Sequence, residues 1–286
     1  MALTNTQSGI LYMNVGMLLF TMNDAIGKWL VQDYSVGQLL FIRSAAALIV
    51  LMPLIRRRPD IWRTLPKRKG LHLLRMILVA AEVACFYWAV RYIPLADAFM
   101  YYLAAPIFVA ALAIFMLGEK VGVHRWTAIV FGFVGVIVIL GPGQASFSMP
   151  ALIAVTGSVV LALMMVMTRM LTEVDGLALI TYQTFGVAIA GAITLPFFWT
   201  TPSLPDFAFM CGLGLVAMAG HFSINHAFRL CEANVVAPFQ YTTLLWAFLL
   251  GYFIWGDIPT LQGWIGSAII IASGLYIYVR ERKKGT

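Results

Sequence analysis

The sequence predicts an all-α polytopic membrane protein: ten transmembrane helices arranged as two five-helix repeats of inverted topology, with both termini cytoplasmic. Three observations predict it. Of 286 residues, 62% are hydrophobic and only 11% are charged, at a mean hydropathy of +0.89, whereas a soluble domain carries about 25% charged residues. The apolar residues fall into ten runs. The second five runs echo the first five. The composition alone sets aside a soluble enzyme, a disordered chain and a collagen-like fibre.

A helix crosses a bilayer with about 20 apolar residues. Runs near that length are Gly9–Leu30, Ser35–Leu54, Leu71–Ile93, Ala96–Leu117 and Val123–Leu140, then Met149–Leu171, Leu177–Trp199, Phe207–Phe228, Ala233–Ile254 and Pro259–Val279. The connections are short and carry turn residues, as at Gly141–Gln144, Thr200–Asp206 and Gly256–Pro259. Barrel strands alternate in polarity and these runs do not. The chain therefore divides into a cytoplasmic N-terminus (1–8), a first repeat (9–140), a periplasmic linker (141–148), a second repeat (149–279) and a basic cytoplasmic tail (280–286). The start of the chain has no Lys/Arg-rich segment and no small-residue cleavage pattern after the first run, so that run is read as retained.

The net charge of +7 first looks like an affinity for acidic partners. Its distribution says otherwise. With both termini cytoplasmic, 16 of the 19 basic residues fall on one side, in the loops at 56–69, 120–125, 169 and 229, just after the first of these at Arg75, and in the tail. Lys28 and Arg91 lie at opposite helix ends and Arg43 lies within a span. Basic residues concentrate on the cytoplasmic side of membrane proteins, so the excess reads as orientation and excludes a nucleic-acid role. Cys85, Cys211 and Cys231 show no metal or disulfide spacing and read as small buried thiols.

At a shift of 138 residues, Arg91 meets Arg229, Leu112 meets Leu250, Phe115 meets Phe253, Gly118-Glu119 meets Gly256-Asp257 and Trp126 meets Trp264. With small gaps, Lys28 pairs with Arg169. Five spans per half is an odd number, so the second half enters the membrane from the opposite face. Two equivalent inverted halves have two near-equivalent states, one open to each side, with substrate held near the midplane between them.

These features resemble the EamA-type branch of the drug/metabolite transporter superfamily. The resemblance rests on the five-plus-five spans, Gly118-Glu119 closing the fourth span, Gly256-Asp257 closing the ninth, Arg43 in Phe41-Ile42-Arg43, and the stretch Tyr87–Tyr92. Within that branch it is most similar to bacterial YddG-type exporters of aromatic and other amino acids. The resemblance implies a multi-pass protein of the bacterial inner membrane that exports such molecules through a central cavity. Asp257 departs from the more usual Glu.

Charged groups at depth in a bilayer are costly and are functional candidates. Glu82 lies mid-span in the third run and His221 in the corresponding part of the eighth, where they are expected to face one another; a structural helix contact is the other reading. Asn225 shares a helical face with His221 at four-residue spacing. Arg43 is a fixed cation in the second span that could receive a substrate carboxylate; the resemblance implies a structural place for it instead, with Glu82 as a candidate partner. Asp24 and Lys28, four residues apart, are expected to pair locally, and Asp97 to complement a helix N-terminus. In the fourth span Pro106 frees the carbonyl of Tyr102, beside Tyr101. In the ninth Pro238 frees that of Asn234, ahead of Gln240, Tyr241 and Trp246. Broken helices at corresponding places point to a midplane site, and the aromatic rings suit an apolar body or an ammonium. The substrate-binding candidates are therefore Glu82, Tyr101, Tyr102, His221, Asn225, Gln240, Tyr241 and Trp246. Arg43, Pro106, Pro238, Gly118, Glu119, Gly256 and Asp257 are the structural and gating candidates.

Trp29, Trp88, Trp126, Trp199, Trp255 and Trp264 read as interface anchors. Small residues four apart (Gly118 and Gly122, Ala128 and Gly132, Gly263 and Ser267) permit close packing, and the short fifth and tenth spans read as a scaffold or a homodimer contact. The partners implied are a small-molecule substrate and the lipid bilayer. No cofactor or metal is implied, and the sequence holds no HExxH, GxSxG or P-loop, which argues against an enzyme. An amino-acid or similar small-metabolite exporter is the leading expectation, and a hydrophobic-cation exporter anchored on Glu82 the second. A sugar-phosphate carrier would need clustered basic residues at depth, where Arg43 stands alone.

Overall fold

The computed structural model describes residues 5–58, 68–118, 123–140, 148–171, 174–230 and 236–284. Among the described residues there is helix and turn and no strand. Helices α1 (Asn5–Asp33) and α2 (Val36–Arg56) are joined at Tyr34–Ser35, where Ser35 Oγ accepts from the Gln38 N–H and caps α2. Helix α3 spans Lys69–Val90, α4 Leu95–Tyr102, α5 Ala105–Leu117 and α6 Val123–Leu140. In the second half α7 spans Met149–Met170, α8 Gly176–Phe198 and α9 Leu204–Leu230. A 3-10 turn at Ala237–Tyr241 runs into α10 (Thr242–Trp255), and α11 spans Leu261–Lys284, continuing the last helix through the basic segment from 280. Among the described residues seven stretches, with Leu95–Leu117 as one, are long and apolar enough to cross a membrane; shorter apolar helices cover Trp126–Leu140 and Leu261–Tyr276.

The breaks fall at the prolines. Between α4 and α5 the chain tightens, with the Ala104 N–H donating to Tyr101 O at 3.2 Å. Pro106 sits in the first turn of α5, so Tyr102 O has no N–H four residues on to accept from. The second-half counterpart is the 3-10 turn containing Pro238; Asn234 lies outside the described residues. Both half-helices end alike. Gly118 closes α5 at φ 66° and Gly256 closes α10 at φ 72°, and among the described residues these are the two with positive φ. The left-handed conformation is open to glycine at no steric cost and turns the chain off the helix end, which gives the Gly-acidic motif its local physical reason. Glu119 and the Gly141–Gln144 connection lie outside the described residues.

Packing follows one pattern. Helix α1 lies along α9, and α3 along α7. Helix α2 packs on both α8 and α9, and α3 also on α8. Helix α1 touches α10, and α5 touches α7. Helix α4 meets α10, and α6 meets α11. With α4 and α5 taken as one span, and the 3-10 turn and α10 as another, exchanging the halves returns these same pairs.

Several of the crossings are backbone-close and built on glycine. A Cβ at Gly16 would stand 3.2 Å from Gly220 O, one at Gly191 2.6 Å from Phe41 N, and one at Gly266 2.6 Å from Gly135 O. Sequence spacing singled out Gly132 and Gly263 instead; the first accommodates Ile107 and the second Met100. Outside, large apolar side chains are bare, as in Phe115 (78% exposed) and its counterpart Phe253 (77%). Such a surface is at home in hydrocarbon and a liability in water.

Candidate functional site

A cavity of about 490 Å³ lies among α1, α2, α3, α4, α7, α8, α9 and α10. Its charged wall comes from the first three helices. Arg43 Nη1 donates to Tyr87 Oη at 2.6 Å, with the guanidinium carbon 5.4 Å from the ring centroid. Tyr87 Oη donates onward to Asp24 Oδ1 at 3.4 Å, and Asn23 Nδ2 donates to the same carboxylate oxygen at 2.9 Å. Gly27 makes this network fit, because a Cβ there would run into the Tyr87 ring. Glu82 stands on α3 within the electrostatic reach of both Asp24 and Arg43. The cavity thus sets two carboxylates against one guanidinium.

Aromatic rings form the next part of the wall. Phe86 meets Phe99 and Tyr102 edge to face, at centroid distances of 5.5 and 5.2 Å. The Tyr102 hydroxyl donates to the backbone carbonyl of Glu82 at 3.4 Å and rests on Gly157. From α9, His221 lies edge-on to Phe20 at 4.7 Å. Helix α8 adds Gln183 and Thr184.

Of the residues singled out in the sequence, Glu82, Tyr102, His221 and Arg43 meet at this cavity. Arg43 bonds Tyr87 rather than the expected Glu82, and no ion pair joins the two among the described residues. Tyr101 is buried with Met100 and Ala104 in a separate core. Trp246 packs against Met13, Met17 and Val236, its indole Nε1 buried without a partner among the described residues. Tyr241 packs its hydroxyl on Gly274 of α11, while Gln240 and Asn225 are exposed and outside the lining. Asn23, Tyr87, Gln183 and Thr184 line the cavity without having been singled out as site residues, and Asp24 faces it instead of pairing with Lys28. The available signal was Gln183, the one amide side chain in an uncharged α8.

Lys28 reaches the other half of the chain. Its Nζ stands 3.3 Å from Asp257 Oδ2, donates to Ile93 O at 3.0 Å and lies 4.7 Å from the Trp255 ring centroid. The four-residue spacing to Asp24 lost to this tertiary partner. Nearby, Gln38 Nε2 donates to Thr200 O at 2.6 Å and the Thr200 N–H returns to Gln38 Oε1 at 3.0 Å. Tyr34 Oη donates to Asp206 Oδ2 at 2.8 Å, which raises the phenol pKa above its ordinary value. These bonds close the end of the molecule where α1 finishes. Among the described residues no His, Cys, Asp and Glu are grouped as a metal site would need.

Comparison with known proteins agrees in kind. The chain is 25% identical over 284 residues to the S-adenosylmethionine uptake transporter of Rickettsia prowazekii, covering 99% of this chain and 96% of that protein. It is 24% identical over 281 residues to a riboflavin transporter of Vibrio cholerae, covering 96% and 94%. It is also 24% identical over 292 residues to a pseudopaline exporter of Pseudomonas aeruginosa, covering 100% of each. One solved crystal structure superposes with a TM-score of 0.61 at 16% identity over 98% of this chain and 99% of that one, a likeness of fold. Several apolar helices and a match to a transporter family make it a multi-pass membrane protein and a transporter rather than an enzyme. The EamA-like transporter family matches residues 7–141 and again 148–279, nearly the whole chain in two successive copies, and the chain belongs to that family.

Proposed function

We propose that this protein is a secondary transporter of the bacterial cytoplasmic membrane. It moves amino-acid-headed metabolites with an aromatic or heteroaromatic body by alternating access between two inverted five-helix halves. The observation that carries the reading is the cavity: Asp24 and Glu82 on one wall, Arg43 among them, and rings around the rest. An ammonium or sulfonium suits the carboxylates, a carboxylate suits Arg43, and flat rings suit the aromatic wall. Its 490 Å³ lies within the roughly 300–1,000 Å³ of sites for drug-sized ligands, more room than a neutral amino acid alone fills. S-adenosylmethionine, named for one relative, has every one of these groups. Aromatic amino acids, the cargo implied by the sequence, have most of them.

Alternating access is supported by the packing set that survives exchange of the halves and by the matching glycine caps. Ten spans with both termini cytoplasmic is supported by the distribution of basic residues. Export is the direction implied by the resemblance to amino-acid exporters. The relatives include one named for uptake and one for export, so the test loads either side.

The test is flux in proteoliposomes with labelled S-adenosylmethionine, phenylalanine and a quaternary ammonium, with and without a pH gradient. Accelerated flux of an amino-acid-headed probe, reduced by Glu82→Gln, is the expected result. Flux of the quaternary ammonium alone would replace this reading with the second, a hydrophobic-cation exporter, which the two carboxylates also favour. No accelerated flux of any probe would end both.

A further inference from the structure

Behind the α8 wall lies a buried cation that the site described so far does not use. Arg75 on α3 is 5% exposed. Its Nε donates to Thr168 Oγ1 at 2.8 Å and its Nη2 to Gln183 Oε1 at 3.0 Å. Thr168 is itself fixed, its hydroxyl donating to Met164 O at 2.8 Å. Arg75 does not line the cavity, but Gln183 and Met164 do.

A guanidinium only donates, so the atom of Gln183 that meets it has to be the carbonyl oxygen. That settles the orientation of the amide, which is otherwise ambiguous. With Oε1 taken, Nε2 is the polar atom Gln183 has left for the cavity, and among the described residues no acceptor takes it. We propose that Arg75 is a positioning residue that turns the Gln183 amide N–H into the cavity as a fixed donor, and that this donor selects substrates carrying a hydrogen-bond acceptor far from their cationic head.

The donor sets the class of substrate. A ligand whose ammonium or sulfonium sits at Glu82 and Asp24 uses the Gln183 amide only if its far end carries an acceptor, such as a ring nitrogen or carbonyl. Phenylalanine has no acceptor at its far end. The polar path continues past Gln183, for Arg75 Nη1 and both ring nitrogens of His72 are buried without a partner among the described residues. This inference rests on the transport reading above and narrows its substrate.

The experiment measures the half-saturating concentration of S-adenosylmethionine and of phenylalanine for the full-length protein in proteoliposomes. Gln183→Glu keeps the bond to Arg75 and replaces the N–H with an oxygen. It should raise the value for S-adenosylmethionine roughly 5- to 10-fold and leave that for phenylalanine within about twofold, the loss expected of one hydrogen bond. Arg75→Met should repeat that ligand-selective shift by releasing the amide. An equal shift for both ligands would assign these residues a structural role and overturn the proposal, as would an unchanged value for S-adenosylmethionine. A wild-type protein that moves phenylalanine alone overturns this inference and leaves the transport reading standing; one that moves neither probe overturns both.

Discussion

At the scale of single residues, the two glycine caps give the sharpest test. Nothing lies within 4 Å of the position a Cβ would take at Gly256, where φ is 72°. The cost of Gly256→Ala is therefore conformational, about 1–2 kcal/mol for an L-residue held in the left-handed region. Thermal unfolding in detergent should show a lower midpoint, with Gly256→Asn recovering part of it; an unchanged midpoint for Ala would contradict the assigned backbone. Such caps were legible in the sequence because they depend on nearest neighbours only, and so were the proline breaks. Lys28 was not. Its partner at four-residue spacing, Asp24, is drawn away by Tyr87 and Asn23, while Asp257, 229 positions on, takes its place. Distances of that kind leave no local trace.

At the scale of elements, rotation about a helix was not readable. Tyr101 and Tyr102 are adjacent, so they point about 100° apart, and only the second reaches the cavity. Trp246, expected to bind substrate, turns into the contact with α1. Helix α8 carried no charge to mark it, so its contribution through Gln183 emerged only from the packing against α3. The closure at the end of α1 makes two predictions about elements. Lys28→Met removes the tie between α1 and the segment after α10. In a protein with Cys211→Ser and Cys231→Ser, it should speed labelling of Cys85, which lies beside Gly157 and Tyr102, by an impermeant thiol reagent applied on that side. Equal rates with and without the tie would deny it a gating part.

The Tyr34–Asp206 bond carries a pH dependence of known sign. The phenol pKa is raised in the folded protein. The bond therefore contributes fully below the ordinary value of about 10 and is lost as pH climbs through the raised one. Between about pH 8 and pH 11 the wild type should lose more thermal stability than Tyr34→Phe, which has no such group to ionise. A parallel decline would mean the bond is absent in the membrane protein.

At the scale of the whole molecule, the division of labour between pattern and chemistry is plain. The main packing across the halves is nearly indifferent to which half is which: Phe115 and Phe253 face outward alike, Gly118 and Gly256 turn alike, and the principal helix pairs that join the halves survive their exchange. The cavity is not indifferent. Asp24, Arg43 and Glu82 come from the first half, Gln183 and His221 from the second. Hydrophobic periodicity repeats well enough to reveal the fold from sequence. Polar residues at the site are few and differ between halves, so the fold was far more legible than the cavity.

The α6–α11 pair has a consequence for the lipid around it. Helix α6 has 18 described residues, Val123–Leu140, about 27 Å of rise. That falls short of a hydrocarbon layer of about 30 Å. The shortfall lies on the flank where α6 touches α11 at Gly135 and Gly266, and there the bilayer has to pinch inward or the flank has to find cover. Flux should therefore be higher in vesicles of shorter acyl chains than in longer ones at equal protein density, and flux indifferent to chain length would show that α6 tilts or extends to meet the lipid. A pinched flank also attracts its like, so thick membranes should draw copies of the protein together along this side, which makes membrane thickness itself a control on their association.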